Sequence, residues 1–168
     1  TLRPMGKGNL YAVHKIGYSE YKCGYNGFIC TLRRYVACGR KGELFDLTLE
    51  NKTDRQRETD VMLSVRSDCV GGVTAEGGRL LATDGDGNAL FCVQSSERIA
   101  EYAEFAEGYF VRGAIDRTRG FRSGGCTGAP TVSTRVHVLP NGSKRVVFLL
   151  RVGDCAQLRL DESLADAM

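Results

Sequence analysis

The chain has 168 residues and a net charge of +3 from 23 basic and 20 acidic side chains, enough length for one domain with a core but too little net charge to draw it onto nucleic acid or an acidic membrane. No apolar run approaches the roughly 20 residues that span a bilayer, and the start Thr1-Leu2-Arg3-Pro4, with Lys7 close behind, lacks the apolar stretch of a signal peptide. Seven cysteines, Cys23, Cys30, Cys38, Cys69, Cys92, Cys126 and Cys155, are scattered and never in C-x-x-C pairs, which speaks against a zinc site and for reduced thiols packed as small hydrophobes in a cytoplasmic protein.

Along the chain the apolar pattern has period two. FICTLRRYV at 28–36 alternates nearly throughout, and so does ELFDLTL at 43–49, where Leu44, Phe45, Leu47 and Leu49 are apolar. VMLSVR at 61–66 follows, then RLLAT and ALFCVQ on either side of DGDGN at 84–88. These are strand-length runs bounded by turn residues, and they predict a sheet protein. SSERIAEYAEFAEG at 95–108 reads either as a few helical turns capped by Ser95 or Ser96 or as a loop followed by a strand over Gly108 to Ala114. VSTRVHV at 132–138 is again a strand, and LPNGSKRVVFLLRV places Asn141-Gly142 between two strand-like runs. That dipeptide predicts a type I′ hairpin, whose two central residues both take positive φ. The final residues, Asp161 to Met168, have the composition of a helix's first turns.

The densest charge lies between two strands, in Glu50-Asn51-Lys52-Thr53-Asp54-Arg55-Gln56-Arg57-Glu58. Lys52, Arg55 and Arg57 could meet phosphates, and Asn51-Lys52-Thr53, like Asn141-Gly142-Ser143, is a glycosylation sequon. The plainer reading is a solvated hairpin connection, since no aromatic residue interleaves the cations as a nucleic-acid groove requires.

Groups able to carry chemistry are sparse. His14 and His137 lie on strand-like segments outside any nucleophile or metalloprotease motif. Asp84, Asp86 and Asn88 imitate the opening of a calcium loop, but Ala89 stands where its glycine belongs and Ser95 where its closing glutamate belongs, so a hairpin turn fits better. Positive charge gathers once, at Arg112, Arg117, Arg119 and Arg122 before Ser123-Gly124-Gly125-Cys126-Thr127-Gly128. Arg117, Arg119 and Arg122 are the candidate ligand or interface residues, because guanidinium forks beside glycines can hold a phosphate or carboxylate. No catalytic, metal or cofactor residue stands out.

The order of segments resembles a known domain. His14-Lys15-Ile16-Gly17-Tyr18-Ser19, Tyr25-Asn26-Gly27-Phe28, and Glu43 to Asn51 followed by Asp54-Arg55 are similar to the N-terminal β-sandwich domain of glycoside hydrolase family 94. Asp116-Arg117 with Phe121, Ala129-Pro130, and Leu139-Pro140-Asn141-Gly142 leading into Val146 to Leu150 resemble its later strands in the same order. The family comprises cellobiose, cellodextrin and chitobiose phosphorylases and the phosphorylase-like part of cyclic β-1,2-glucan synthases.

The resemblance implies an all-β antiparallel sandwich of the galactose-mutarotase-like supersandwich type over residues 1–158, with a linker helix starting in 159–168. It implies that the charged 50–58 segment is a structural hairpin. It also implies a homodimer, a β-linked oligosaccharide substrate, and inorganic phosphate as co-substrate of the full enzyme. The catalytic aspartate and phosphate site belong, by resemblance, to a helical (α/α)6 barrel beyond the linker, so no catalytic residue carries over to this chain. Two stretches, between Ser67 and Gly78 and between Pro130 and Leu139, are shorter than in the family. The first puts a cellobiose-type specificity in doubt, and the second implies an incomplete sandwich with an open edge.

Overall fold

The computed structural model describes residues 11–36, 42–65, 67, 69–76, 78–103, 110–111, 114–115 and 130–153. They form thirteen strands: β1 (Tyr11–Lys15), β2 (Tyr18–Tyr25), β3 (Phe28–Val36), β4 (Gly42–Asn51), β5 (Arg57–Ser64), β6 (Gly72–Glu76), β7 (Arg79–Thr83), β8 (Ala89–Ser95), β9 (Glu101–Ala103), β10 (Phe110–Val111), β11 (Ala114–Ile115), β12 (Thr131–Val138) and β13 (Ser143–Val152). The fold is all-β and antiparallel. Eight strands make one sheet in the order β1-β2-β3-β4-β13-β8-β7-β6, three make a second in the order β5-β12-β9, and β10 pairs with β11.

The core lies between the large and the small sheet. The large sheet contributes Phe28, Leu49, Leu80, Ala82, Phe91, Val93, Val146 and Phe148, and the small one Val61, Val132, Val136 and Val138. Alternation explains the selection, because successive residues point to opposite faces of a strand. On β12 the even positions 132, 134, 136 and 138 face inward, while Arg135 and His137 on the odd side are exposed. β13 has no such alternation in sequence: Val146 and Phe148 enter the core, while Val147 and Leu149 join Leu44 in a second cluster on the opposite face, against Tyr35. A strand buried on both faces reads as a continuous apolar run, and Val146 to Leu150 is one.

Three of the sequence expectations change. The charged 50–58 segment is not a hairpin, because β4 and β5 belong to different sheets and do not pair. The same holds for Leu139 to Gly142, since β12 lies in the small sheet and β13 in the large one. Asn141 alone of the dipeptide takes positive φ, at 52°, and the Gly142 N–H donates to Leu139 O at 3.0 Å. With Pro140 and Asn141 as its central residues this is a type II turn, one residue out of register with the I′ expectation. Pro140 causes the shift, for its ring presets the φ that the first central position of a type II turn needs.

The third change is at 95–108. Ser95 closes β8, residues 96–100 cross to the small sheet, and β9 begins at Glu101. Ser96 is held to β13 from both sides: its N–H donates to Val147 O, and its Oγ accepts from the Val147 N–H, each at 2.9 Å. The Ala100 N–H then donates to Ser133 O in β12. Sheet pairing thus claims the backbone groups that a helix over 95–103 would have used. Residues 104–108 and the helix expected from 159 onward lie outside the described residues.

Candidate functional site

The two sheet-to-sheet connections after β4 and after β12 lie side by side and are joined through Asn51. β4 pairs with β13 from Ser143/Glu50 to Arg151/Gly42, and β5 pairs with β12 from Val138/Arg57 to Thr131/Ser64. β4–β5 and β12–β13 therefore form one antiparallel ribbon that folds over from the large sheet into the small one. The strands break at the fold, where carbonyls of both connections converge. Asn51 takes them up: its Nδ2 donates to Arg55 O at 2.7 Å, Val138 O at 3.2 Å and Leu139 O at 3.1 Å. Its Oδ1 accepts from the Thr53 N–H at 3.0 Å and the Thr53 hydroxyl at 2.7 Å. The Asn51 N–H donates to Gly142 O, and the Asn141 N–H to Thr53 O.

With 1% of its surface exposed, Asn51 cannot present its amide nitrogen to a glycosyltransferase, so this sequon has a structural explanation. Two of the neighbouring cations are engaged as well. Lys52 Nζ pairs with Glu50 at 2.7 Å, and Arg57 donates to Asn26 O at 2.9 Å. The charge burst is a corner, and its residues hold backbone to backbone.

A second polar constellation lies on the face of the large sheet turned away from the core. Arg145 grips the buried Asp46 with two parallel bonds, Nε–Oδ1 at 2.8 Å and Nη2–Oδ2 at 2.9 Å, and the Tyr35 hydroxyl donates to Oδ2 at 3.0 Å. Such a bidentate pair fixes geometry as well as charge. Burial first, and the Asp46 charge next, push the Tyr35 phenol above its usual range, so it remains a proton donor at neutral pH. Beside it Arg33 pairs with Glu20 across β2 and β3 at 2.8 Å, and on the opposite face Arg34 pairs with Glu43. These groups satisfy one another within the sheet, and none is left aimed at a reacting atom.

The residues singled out in the sequence do not converge. His14, on β1, shares a hydrogen bond between Nδ1 and the Ser19 hydroxyl at 2.9 Å and sets its ring edge-on to Tyr21. His137, on β12 in the other sheet, lies 3.4 Å from Glu58. Both are exposed strand residues. Tyr18 and Tyr35 are cross-strand partners on one face of the sheet, whereas Tyr21 and Tyr25 occupy the other. These four tyrosines therefore do not gather on one face. Arg117, Arg119 and Arg122 lie outside the described residues.

The Asp84 segment is a hairpin turn between β7 and β8, which pair with a bulge next to Thr83. The Asp84 carboxylate accepts from the Asp86 N–H at 3.0 Å, the Asn88 N–H at 2.8 Å and Asn88 Nδ2 at 3.0 Å. Its oxygens are spent on the turn itself. Gly71 lies against this backbone so closely that a Cβ would stand 2.6 Å from Gly85 N. The Asn88 side chain first, and then backbone N–H groups, hold the Asp84 carboxyl below its ordinary 3.8. A depressed carboxyl stabilises the fold fully above its unfolded value and loses that contribution as pH falls through the lower folded value. The Asn88 backbone amide resonance is accordingly expected to keep its hydrogen-bonded shift through pH 4 and to lose it only at lower pH, whereas Asp84→Ala should abolish that shift at every pH.

The connection after β4, with β4 and β5 on either side of it, lies in the part of the chain with a recognisable relative. Residues 1–67 match the family model described as "Glycosyl hydrolase 94, supersandwich domain". The resemblance to the glycosyl hydrolase 94 supersandwich holds. N,N'-diacetylchitobiose phosphorylase from Vibrio furnissii is 34% identical over 44 residues, which is 26% of this chain and 6% of that protein. Among solved structures, a protein described as a kojibiose phosphorylase from the human microbiome superposes with a TM-score of 0.53 at 8% identity, covering 89% of this chain and 19% of its own. Heparan sulfate lyase HepC from Pedobacter heparinus gives 0.55 at 12% identity, over 89% of this chain and 22% of that one. The Slr1438 protein from Synechocystis sp. PCC 6803 gives 0.55 at 8% identity, over 86% and 65%. At such identities these likenesses carry the fold, and a lyase among them shows how little the fold says of the reaction. The chain spans a small part of the phosphorylases it matches.

Proposed function

We propose that this chain is the N-terminal supersandwich domain of a glycoside phosphorylase-type enzyme, serving as scaffold and dimerisation surface. The match of residues 1–67 to the glycosyl hydrolase 94 supersandwich carries this reading. Two relatives are named as phosphorylases, which supports it. On this reading the reaction is the inverting phosphorolysis of a β-linked gluco-oligosaccharide. Inorganic phosphate is the attacking co-substrate, and the acid that protonates the glycosidic oxygen belongs to an (α/α)6 barrel partnered with this domain. The protein works in the cytoplasm with its thiols reduced. The Arg117, Arg119 and Arg122 loop contacts a ligand or the partnering domain.

The proposed dimer uses the outer edge of the large sheet. Among the described residues β1 pairs with β2 alone, its Tyr11 is 60% exposed and Ile16 beyond it fully so. An open strand edge is a template for pairing with a second chain. Sedimentation of the purified protein is expected to show a dimer that Ala12→Pro, at a position whose N–H faces away from β2, reduces to monomer.

Calorimetric titration with β-linked gluco-oligosaccharides, with and without phosphate, tests the scaffold role. Neither binding nor turnover is expected from this chain. Turnover would refute the reading, and binding without turnover would favour a free-standing carbohydrate-binding module, for which the divided tyrosines offer no surface.

A further inference from the structure

Cys23 and Cys30 are direct partners across the β2–β3 hairpin, both half-buried and both with free thiols. Residues directly opposite in a ladder share a face, and Cys30 packs on the main core, so both thiols lie on the core side of the large sheet. They are within hydrogen-bonding reach of each other. The ladder defines the kind of pair. The Lys52 N–H donates to Gly27 O, which makes the neighbouring Phe28/Asn51 pair non-hydrogen-bonded. The Phe28 backbone groups must then face Tyr25, and two residues further on Cys23/Cys30 repeats this hydrogen-bonded geometry. Paired Cα atoms there stand about 5.5 Å apart, inside the roughly 4.4–6.8 Å that a disulfide spans. The Cβ atoms, about 5.5 Å apart at such a pair, must close by roughly 1 Å, a strain that makes the bond easier to reduce.

We propose that Cys23 and Cys30 are a redox modification site, joining as a reversible cross-strand disulfide when the protein meets a peroxide. This does not rest on the function proposed above. Burial, with Cys23 alongside, pushes the Cys30 thiol up to about 12, so Cys30 keeps its proton and is the second thiol to react, after Cys23. The Cys23 sulfur attacks one peroxide oxygen and the O–O bond breaks. One oxygen leaves as hydroxide and takes up the proton Cys23 released, giving water, while the other stays as a sulfenic acid. The Cys30 sulfur then attacks the sulfenic sulfur, and its proton leaves with the expelled hydroxide as a second water. Two thiols and one peroxide thus give one disulfide and two waters, with two electrons passing from sulfur to oxygen. The product would fasten β2 to β3 on the flank of the core.

The sequence makes the test direct, because no Lys or Arg lies between Lys22 and Arg33, so both cysteines share the tryptic peptide Cys23–Arg33. The full chain is treated with excess hydrogen peroxide, alkylated with iodoacetamide and digested. Most of this peptide is expected to carry no alkyl group and to be lighter by two hydrogens than its reduced form, and dithiothreitol before alkylation should return it to the doubly alkylated species. In Cys23→Ser the Cys30 thiol should remain alkylated after the same treatment. A peptide that stays doubly alkylated, gains oxygen, or is linked to a different cysteine peptide would overturn the proposal.

Discussion

Asn51→Ala should lower the stability of this protein by about 3 kcal/mol, since it removes a buried side chain that makes five hydrogen bonds, each worth roughly 0.5–1.5 kcal/mol net. The substitution removes the side-chain amide that joins the carbonyls of Arg55, Val138 and Leu139 and the acceptor that orders Thr53. For a chain of this size the melting midpoint should fall by about 6–12 °C, and urea denaturation should give the same loss. Asn141→Ala is the control. It disturbs only an exposed turn residue with positive φ, at a cost of about 1 kcal/mol. If the two substitutions cost the same, Asn51 is not the joint between the sheets.

Cutting the chain after Ser67 should abolish folding, although that fragment is the whole of the family-matched segment. β4 would lose β13 along the nine register pairs from Gly42 to Glu50, and β5 would lose β12 along the eight from Arg57 to Ser64. Of the fourteen side chains of the main core among the described residues, only Phe28, Leu49 and Val61 would remain, too little apolar surface to offset the entropy of ordering the chain. Far-UV circular dichroism should show no cooperative transition for residues 1–67, and co-expression with residues 68–168 should restore one. Cooperative unfolding of the short fragment alone would mean that the ribbon through both sheets is not what holds the fold.

The strands were legible because alternation survives wherever one face is buried. FICTLRRYV became β3, VSTRVHV fell within β12, and the DGDGN turn lies between β7 and β8 as expected. What could not be read was which sheet each strand joins, for local pattern is the same whether a strand turns back on its neighbour or crosses to another layer. The two Asn-Gly dipeptides show the limit. At Asn26-Gly27 both residues have positive φ, 46° and 78°, and β2 and β3 form the tight hairpin. At Asn141-Gly142 the same letters follow Pro140, and the turn shifts by one residue and changes sheets. The proline was the available signal. Asn51 was visible only as a sequon, because nothing local distinguishes an exposed amide from one whose acceptors lie 87 and 88 residues away. The alternation at 95–103 is too short to compete with a plausible helix, and only the long-range bonds to Val147 and Ser133 decide it.

The proposed role as scaffold is tested most directly by isolating the native polypeptide that contains Thr1 to Met168 and measuring its intact mass and its phosphate-dependent cleavage of β-linked gluco-oligosaccharides. The expected result is a polypeptide several times heavier than 18.4 kDa that releases a sugar phosphate, with this activity absent from residues 1–168 alone. A native chain of 18.4 kDa that binds or cleaves the oligosaccharide by itself would contradict it.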